Sequence, residues 1–142
     1  GQIAGVVSRD GVRLPCMVDV SGQVRLIDLL PGDVSGEARG INSAGTVVGF
    51  SDDPLGPLGG PLAFVWRQGT TSPLALPVAT TASAAFGINE QGQIAGLMDV
   101  SRADAESKPI ADADSAGNDA DEVQTLAFRW TPKGSGQGSA AK

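Results

Sequence analysis

The sequence predicts an all-β protein built of tandem antiparallel hairpins, and three observations lead there. Glycine (20 residues) and proline (9) cut the Leu, Val, Ile and Ala content into short runs, which suits short strands and tight turns better than helices. A short apolar segment with an internal glycine occurs three times. Two of its copies are preceded by a Gly-Ile-Asn signal that a further glycine closes. At 142 residues the chain is long enough to bury the core of one domain.

The recurring strand reads Gln2-Ile3-Ala4-Gly5-Val6-Val7-Ser8, returns as Thr46-Val47-Val48-Gly49-Phe50-Ser51, and returns again as Gln93-Ile94-Ala95-Gly96-Leu97-Met98. Its lead-in is Ala38-Arg39-Gly40-Ile41-Asn42-Ser43-Ala44-Gly45 in the second copy and Ala85-Phe86-Gly87-Ile88-Asn89-Glu90-Gln91-Gly92 in the third; the first copy lacks it. The Asn favours turn initiation and the glycine at 45 or 92 supplies a positive φ, so lead-in and apolar strand should pair antiparallel. Downstream, Leu62-Ala63-Phe64-Val65-Trp66-Arg67 matches Leu126-Ala127-Phe128-Arg129-Trp130-Thr131, with Leu14-Pro15-Cys16-Met17-Val18-Asp19 as a diverged counterpart. Aromatic residues two apart share one face of a strand, where their large apolar area is best placed in a core. A further strand is expected twice, at Val24-Arg25-Leu26-Ile27-Asp28-Leu29 and at Pro73-Leu74-Ala75-Leu76. Gly5, Gly49 and Gly96 fall inside strands, which marks a bulge or the close approach of another backbone.

The frame of Gly-Ile-Asn, two residues, Gly, a short apolar strand with Gly, a spacer and then Ala-Phe-x-Trp resembles the HAF repeat of bacterial extracellular proteins. It covers nearly the whole chain, with one complete copy and two incomplete ones. Leu62 and Leu126 stand where that family usually has His, so whatever the His does there is missing here. The resemblance implies a propeller-like β structure and an exported, extracellular or cell-surface setting, with no reaction attached.

Counting strands gives about two and a half four-stranded units, arranged as a propeller-like array or an open β-sandwich. Closed propellers need at least about four blades. Arrays that stop early leave apolar faces and strand edges uncovered, which natural proteins cap or pair. The expectation is therefore either additional chain or a homo-oligomer, and head-to-tail contacts of that kind give rings or filaments. The opening at Gly1, inside a repeat, is expected of a processed product or a fragment with a segment upstream.

The chain has no His and no Tyr. A Ser-His-Asp triad, a Cys-His pair and an imidazole-bound zinc are thereby excluded, and the single Cys16 forms neither a thiolate cluster nor an intramolecular disulfide. Cys16 reads as a small buried filler, with an intermolecular disulfide as the alternative. For carboxylate-based glycoside hydrolysis the candidates outside the acidic segment are Asp28, Asp33, Asp52 and Asp53, all at positions where carboxylates ordinarily shape turns. The expectation is a non-enzyme. No basic stripe with interleaved aromatics invites nucleic acid, and neither a basic amphipathic segment nor a long apolar run invites membrane insertion.

The net charge of −6 is local: the segment 99–122 holds eight acids against Arg102 and Lys108, and the rest of the chain balances. Poor in large apolar groups, it reads as an exposed insertion in a single β-repeat domain spanning 1–133. Within it Asp112, Asp114, Asn118, Asp119, Asp121 and Glu122 surround a Gly-Asn turn, and the Asp-x-Asp-x-x-Gly start partly resembles an EF-hand-type calcium loop. Ala116 occupies a usual ligand position and Val123 stands where the bidentate Glu belongs, so a solvated acidic loop is the competing reading. Residues 134–142 read as a Gly/Ser-rich flexible tail. The function expected from these features is an exported structural or interaction module that self-associates. The alternative is a glycan- or protein-binding module using the 52–61 loop, Trp66 or Trp130.

Overall fold

The computed structural model describes residues 1–53, 55, 60–76, 80–101 and 123–133. The acidic insertion beyond Ser101, with all six calcium candidates, and the tail lie outside these residues.

Among the described residues the chain is all-β, with ten strands and no helix. The strands are β1 (Ile3–Arg9), β2 (Val12–Val18), β3 (Val24–Leu26), β4 (Ser35–Ile41), β5 (Val47–Asp52), β6 (Leu62–Arg67), β7 (Thr70–Pro73), β8 (Thr80–Ile88), β9 (Ile94–Ser101) and β10 (Val123–Trp130). They form three antiparallel sheets in the orders β1-β2-β3, β4-β5-β6-β7 and β8-β9-β10, here called sheets A, B and C. This three-four-three grouping matches the strand count expected from the sequence, with no closed barrel.

The turns explain the pairing. Asp10 and Gly11 both have positive φ, as do Gln68 and Gly69, which is the type I′ geometry that suits two-residue hairpins. The Gln68-Gly69 turn places the last strand of sheet B at Thr70–Pro73, earlier than the expected 73–76. Leu74 continues beside β6 through its N–H to the Ala63 carbonyl (2.8 Å) and is buried. The other turn type recurs. In Asn42-Ser43-Ala44-Gly45-Thr46 the Asn42 side-chain oxygen accepts from Thr46 N–H (3.0 Å), and Gly45 N–H bonds the Asn42 carbonyl (2.9 Å). Asn89 to Gln93 repeats both bonds, and so does Asp19 to Gln23 between β2 and β3, where a carboxylate replaces the carboxamide.

Sheet B is buried on both faces. Val47, Phe64 and Trp66 point toward sheet A, into a core with Met17, Ile27, Leu30 and Ala38. Val48 and Ala63 point the other way, into a core with Leu74, Ala85 and Ile94 that Phe128 and Trp130 of sheet C also cover. Alternation along β5 and β6 divides these residues between two cores, and full burial of a side chain such as Phe64 contributes roughly 2–3 kcal/mol. The three sheets thus stack face to face in chain order, β4 against β1 and β2, and β8 against β4, β5 and β6.

Candidate functional site

The recurring strand glycines have a geometric cause. Opposite Gly49, β4 bulges between Ala38 and Gly40, leaving Arg39 as the extra residue; opposite Gly96, β8 bulges between Ala85 and Gly87, leaving Phe86. The bulge drives the carbonyl of the preceding residue inward. A Cβ on Gly49 would overlap the Glu37 carbonyl oxygen and lie 3.0 Å from the Ala38 Cα, and one on Gly96 would overlap the Ala84 carbonyl oxygen and lie 2.6 Å from the Phe128 ring. Only glycine fits there. At Gly5, which faces Cys16 as Gly49 faces Phe64, the same Cβ would meet only the Cys16 Sγ, at 3.8 Å. The difference is that no strand pairs with β1 on that side among the described residues.

The bulges also re-aim side chains. The Arg39 guanidinium sits over the Phe50 ring (5.5 Å to its centre) and over Phe86 (5.8 Å), tying sheet B to sheet C by cation–π attraction. Glu37, buried beside it, ion-pairs with Arg39 (2.5 Å) and with Arg13 of β2, tying sheet B to sheet A. Where the two Asn turns stack, the Asn42 side-chain amide donates to the Asn89 carbonyl (3.2 Å), and the Ser43 N–H and hydroxyl both donate to the Glu90 carboxylate. These contacts hold neighbouring sheets together at their β4 and β8 edges.

The outer faces differ. On sheet A, cross-strand partners Ile3, Val18 and Val24 form one row, and Gly5, Cys16 and Leu26 the next, all on the face away from sheet B. Ile3 is 63% exposed, Val24 54% and Leu26 43%, although Val47, which stands in β5 where Ile3 stands in β1, is fully buried. On sheet C the outward row of β9 and β10 pairs Leu97 with Ala127, Ala95 with Arg129 and Asp99 with Thr125, the last also joined by a hydrogen bond (2.6 Å). Polar and charged groups (Asp99, Thr125, Arg129) thus stand on this face beside the exposed Leu97.

Of the carboxylates named from sequence, Asp52 ends β5, and Asp28, Asp33 and Asp53 lie in connecting segments. Asp33 accepts from the Ser51 hydroxyl, which in turn accepts from the Leu30 N–H (3.3 Å). The Asp52 carbonyl accepts from Val34 N–H (3.1 Å) while its Oδ1 is buried without a partner, Asp53 accepts from Leu55 N–H (3.1 Å), and the Asp28 carbonyl accepts from the Thr71 hydroxyl (2.6 Å). No group of three or more Cys, Asp or Glu capable of holding a metal occurs among the described residues. Trp66 is buried and Trp130 half-buried against the core between sheets B and C, so Trp66 offers no open ring face to a glycan. Cys16 is buried, and burial pushes its thiol above the ordinary range.

Searches against protein-family models, curated proteins and solved structures find no match to this chain. The HAF-like frame accordingly rests on its residues.

Proposed function

We propose that this chain is a non-catalytic structural and interaction module, working in an extracellular or cell-surface setting, that self-associates through the outer face of sheet A. The observation that carries the reading is the apolar patch of Ile3, Val24 and Leu26, open on a face whose counterpart in sheet B is covered at Val47, Phe64 and Trp66. Contiguous exposed apolar surface on a sheet is a usual mark of an interaction site. The HAF-like frame supports the exported setting, and the missing His supports a role without Ser-His or Cys-His nucleophilic chemistry. Size-exclusion chromatography with light scattering over a concentration series tests it. The expected result is a mass that rises above that of the monomer; a strictly monodisperse monomer at all concentrations contradicts self-association.

A further inference from the structure

The dipeptide Asp-Gly occurs once in the chain, at Asp10-Gly11, and it makes up the whole loop between β1 and β2. Such a loop needs positive φ at both positions, and Asp10 (51°) and Gly11 (79°) supply it. Both residues are exposed, and among the described residues neither the Asp10 carboxylate nor the Gly11 N–H has a hydrogen-bond partner. Gly11 has no side chain to shield its nitrogen, and a Cβ built there would meet nothing within 4 Å. The left-handed conformation is uphill for a residue with a Cβ, so rotation about Asp10 is resisted less than in a relaxed turn. The other Asp residues described are guarded. Asp19, Asp33 and Asp99 are held by hydrogen bonds and precede valines, whose branched side chains crowd the following nitrogen, and Asp53 precedes Pro54, which has no N–H.

We propose that the β1–β2 loop is a modification site, at which Asp10 of the folded chain converts through a cyclic succinimide to isoaspartate. The Gly11 nitrogen attacks Asp10 Cγ and gives up its proton; the N–Cγ bond forms as the Cγ–OH bond breaks, and the hydroxyl leaves as water. The five-membered ring then takes up one water. Opening at the N–Cγ bond returns aspartate. Opening at the original peptide bond routes the main chain through Cγ and frees the former peptide carbonyl as a carboxylate. One water leaves and one enters, so no other reactant is needed. Sheet B contains a natural comparison, because Gln68-Gly69 forms a second exposed loop with both φ values positive. There the side chain is one methylene longer, the ring would have six members, and the reaction is correspondingly slow. In the β1–β2 loop the product carries one extra main-chain atom, so the adjoining pair Arg9 and Val12 is the first to lose register. This inference does not depend on self-association or on the outer face of sheet A.

The test keeps the whole folded chain warm at mildly acidic pH for several weeks in buffer made with oxygen-18 water. Tryptic peptides containing Asp10 are then read by mass spectrometry, with electron-transfer fragmentation to separate isoaspartate from aspartate. The expected result is uptake of the heavy oxygen at Asp10, with isoaspartate in at least tenfold greater yield there than at Asp19, Asp33 or Asp99. Gln68→Asp, which puts Asp-Gly into the second loop of the same geometry, is expected to acquire the change at position 68. Asp10→Gln, which copies the residue that the second loop already accepts, is expected to lose it at position 10; circular dichroism verifies that both variants are folded. Absence of label at Asp10, a yield at Asp10 no greater than at Asp33, or isoaspartate that forms in the urea-unfolded chain and not in the folded one overturns the proposal.

Discussion

A β-carbon built on Gly49 would lie 2.9 Å from the carbonyl carbon of Glu37 and closer still to its oxygen, so the backbones of β5 and β4 touch where β4 bulges. The contact is backbone to backbone, and no rotamer change relieves it. Gly49→Ala and Gly96→Ala are therefore expected to destabilise by roughly 3 kcal/mol or more, at the upper end of overpacking costs. Gly5→Ala is expected to stay within about 0.5 kcal/mol of the wild type. Urea unfolding of the three variants checks this, and equal losses at all three positions would contradict the geometry.

The two Asn turns have the same sequence frame and different surroundings. Asn42 is buried and bridges to the Asn89 carbonyl, while Asn89 is exposed. Asn42→Ala strands the Thr46 N–H away from water and is expected to cost about 2 kcal/mol. At Asn89 water replaces the lost acceptor, so Asn89→Ala is expected to cost clearly less in the same thermal melt. The reverse order would mean that the stacked turns do not bear on stability.

Much of this organisation is legible in the sequence, and the limits are instructive. Gly45 and Gly92 announce their turns because only a positive φ closes them, and Phe64 with Trp66 announces a buried face because strands alternate. The same turn at Asp19 escapes notice, since a carboxylate stands in for the Asn carboxamide and the flanking strands have diverged. Gly49 signals a close approach without its cause, which lies in the bulge of another strand. Alternation likewise separates two faces of sheet A without revealing which one a neighbour covers, so the exposed patch of Ile3, Val24 and Leu26 appears only in three dimensions.

Asp19 gives the β2–β3 turn a pH dependence. Hydrogen bonds from the Ser21 hydroxyl (2.5 Å) and from the Gln23 N–H hold its carboxyl below the ordinary value of 3.8. Because the folded value is lowered, this contribution is complete above pH 3.8 and is lost as pH falls through the lower folded value. NMR titration should show the Ser21 and Gln23 amide resonances moving below pH 3.8, and Asp19→Asn, which restores the residue used at the other two turns, should abolish that movement while preserving the turn. Titration of these amides well above pH 3.8 would contradict the sign.

Glu37 is buried while its partners Arg13 and Arg39 remain 60% and 43% exposed along their side chains. Each arginine can return to water when the carboxylate is removed. Glu37→Ala is expected to cost about 2 kcal/mol, the scale of lost charge-assisted hydrogen bonds, and Arg13→Ala under about 1 kcal/mol, the scale of an exposed pair. A double-mutant cycle measured by chemical denaturation checks both, with a coupling near zero as the contrary result.

Sedimentation velocity over a concentration series tests self-association through sheet A most directly when the wild type is run beside Ile3→Asp/Leu26→Asp and beside Leu97→Asp. All three altered positions are exposed, so the fold should tolerate each change. The expected result is concentration-dependent association of the wild type and of Leu97→Asp, with Ile3→Asp/Leu26→Asp remaining monomeric. Association that survives Ile3→Asp/Leu26→Asp, or a wild type that stays monomeric throughout, would contradict it.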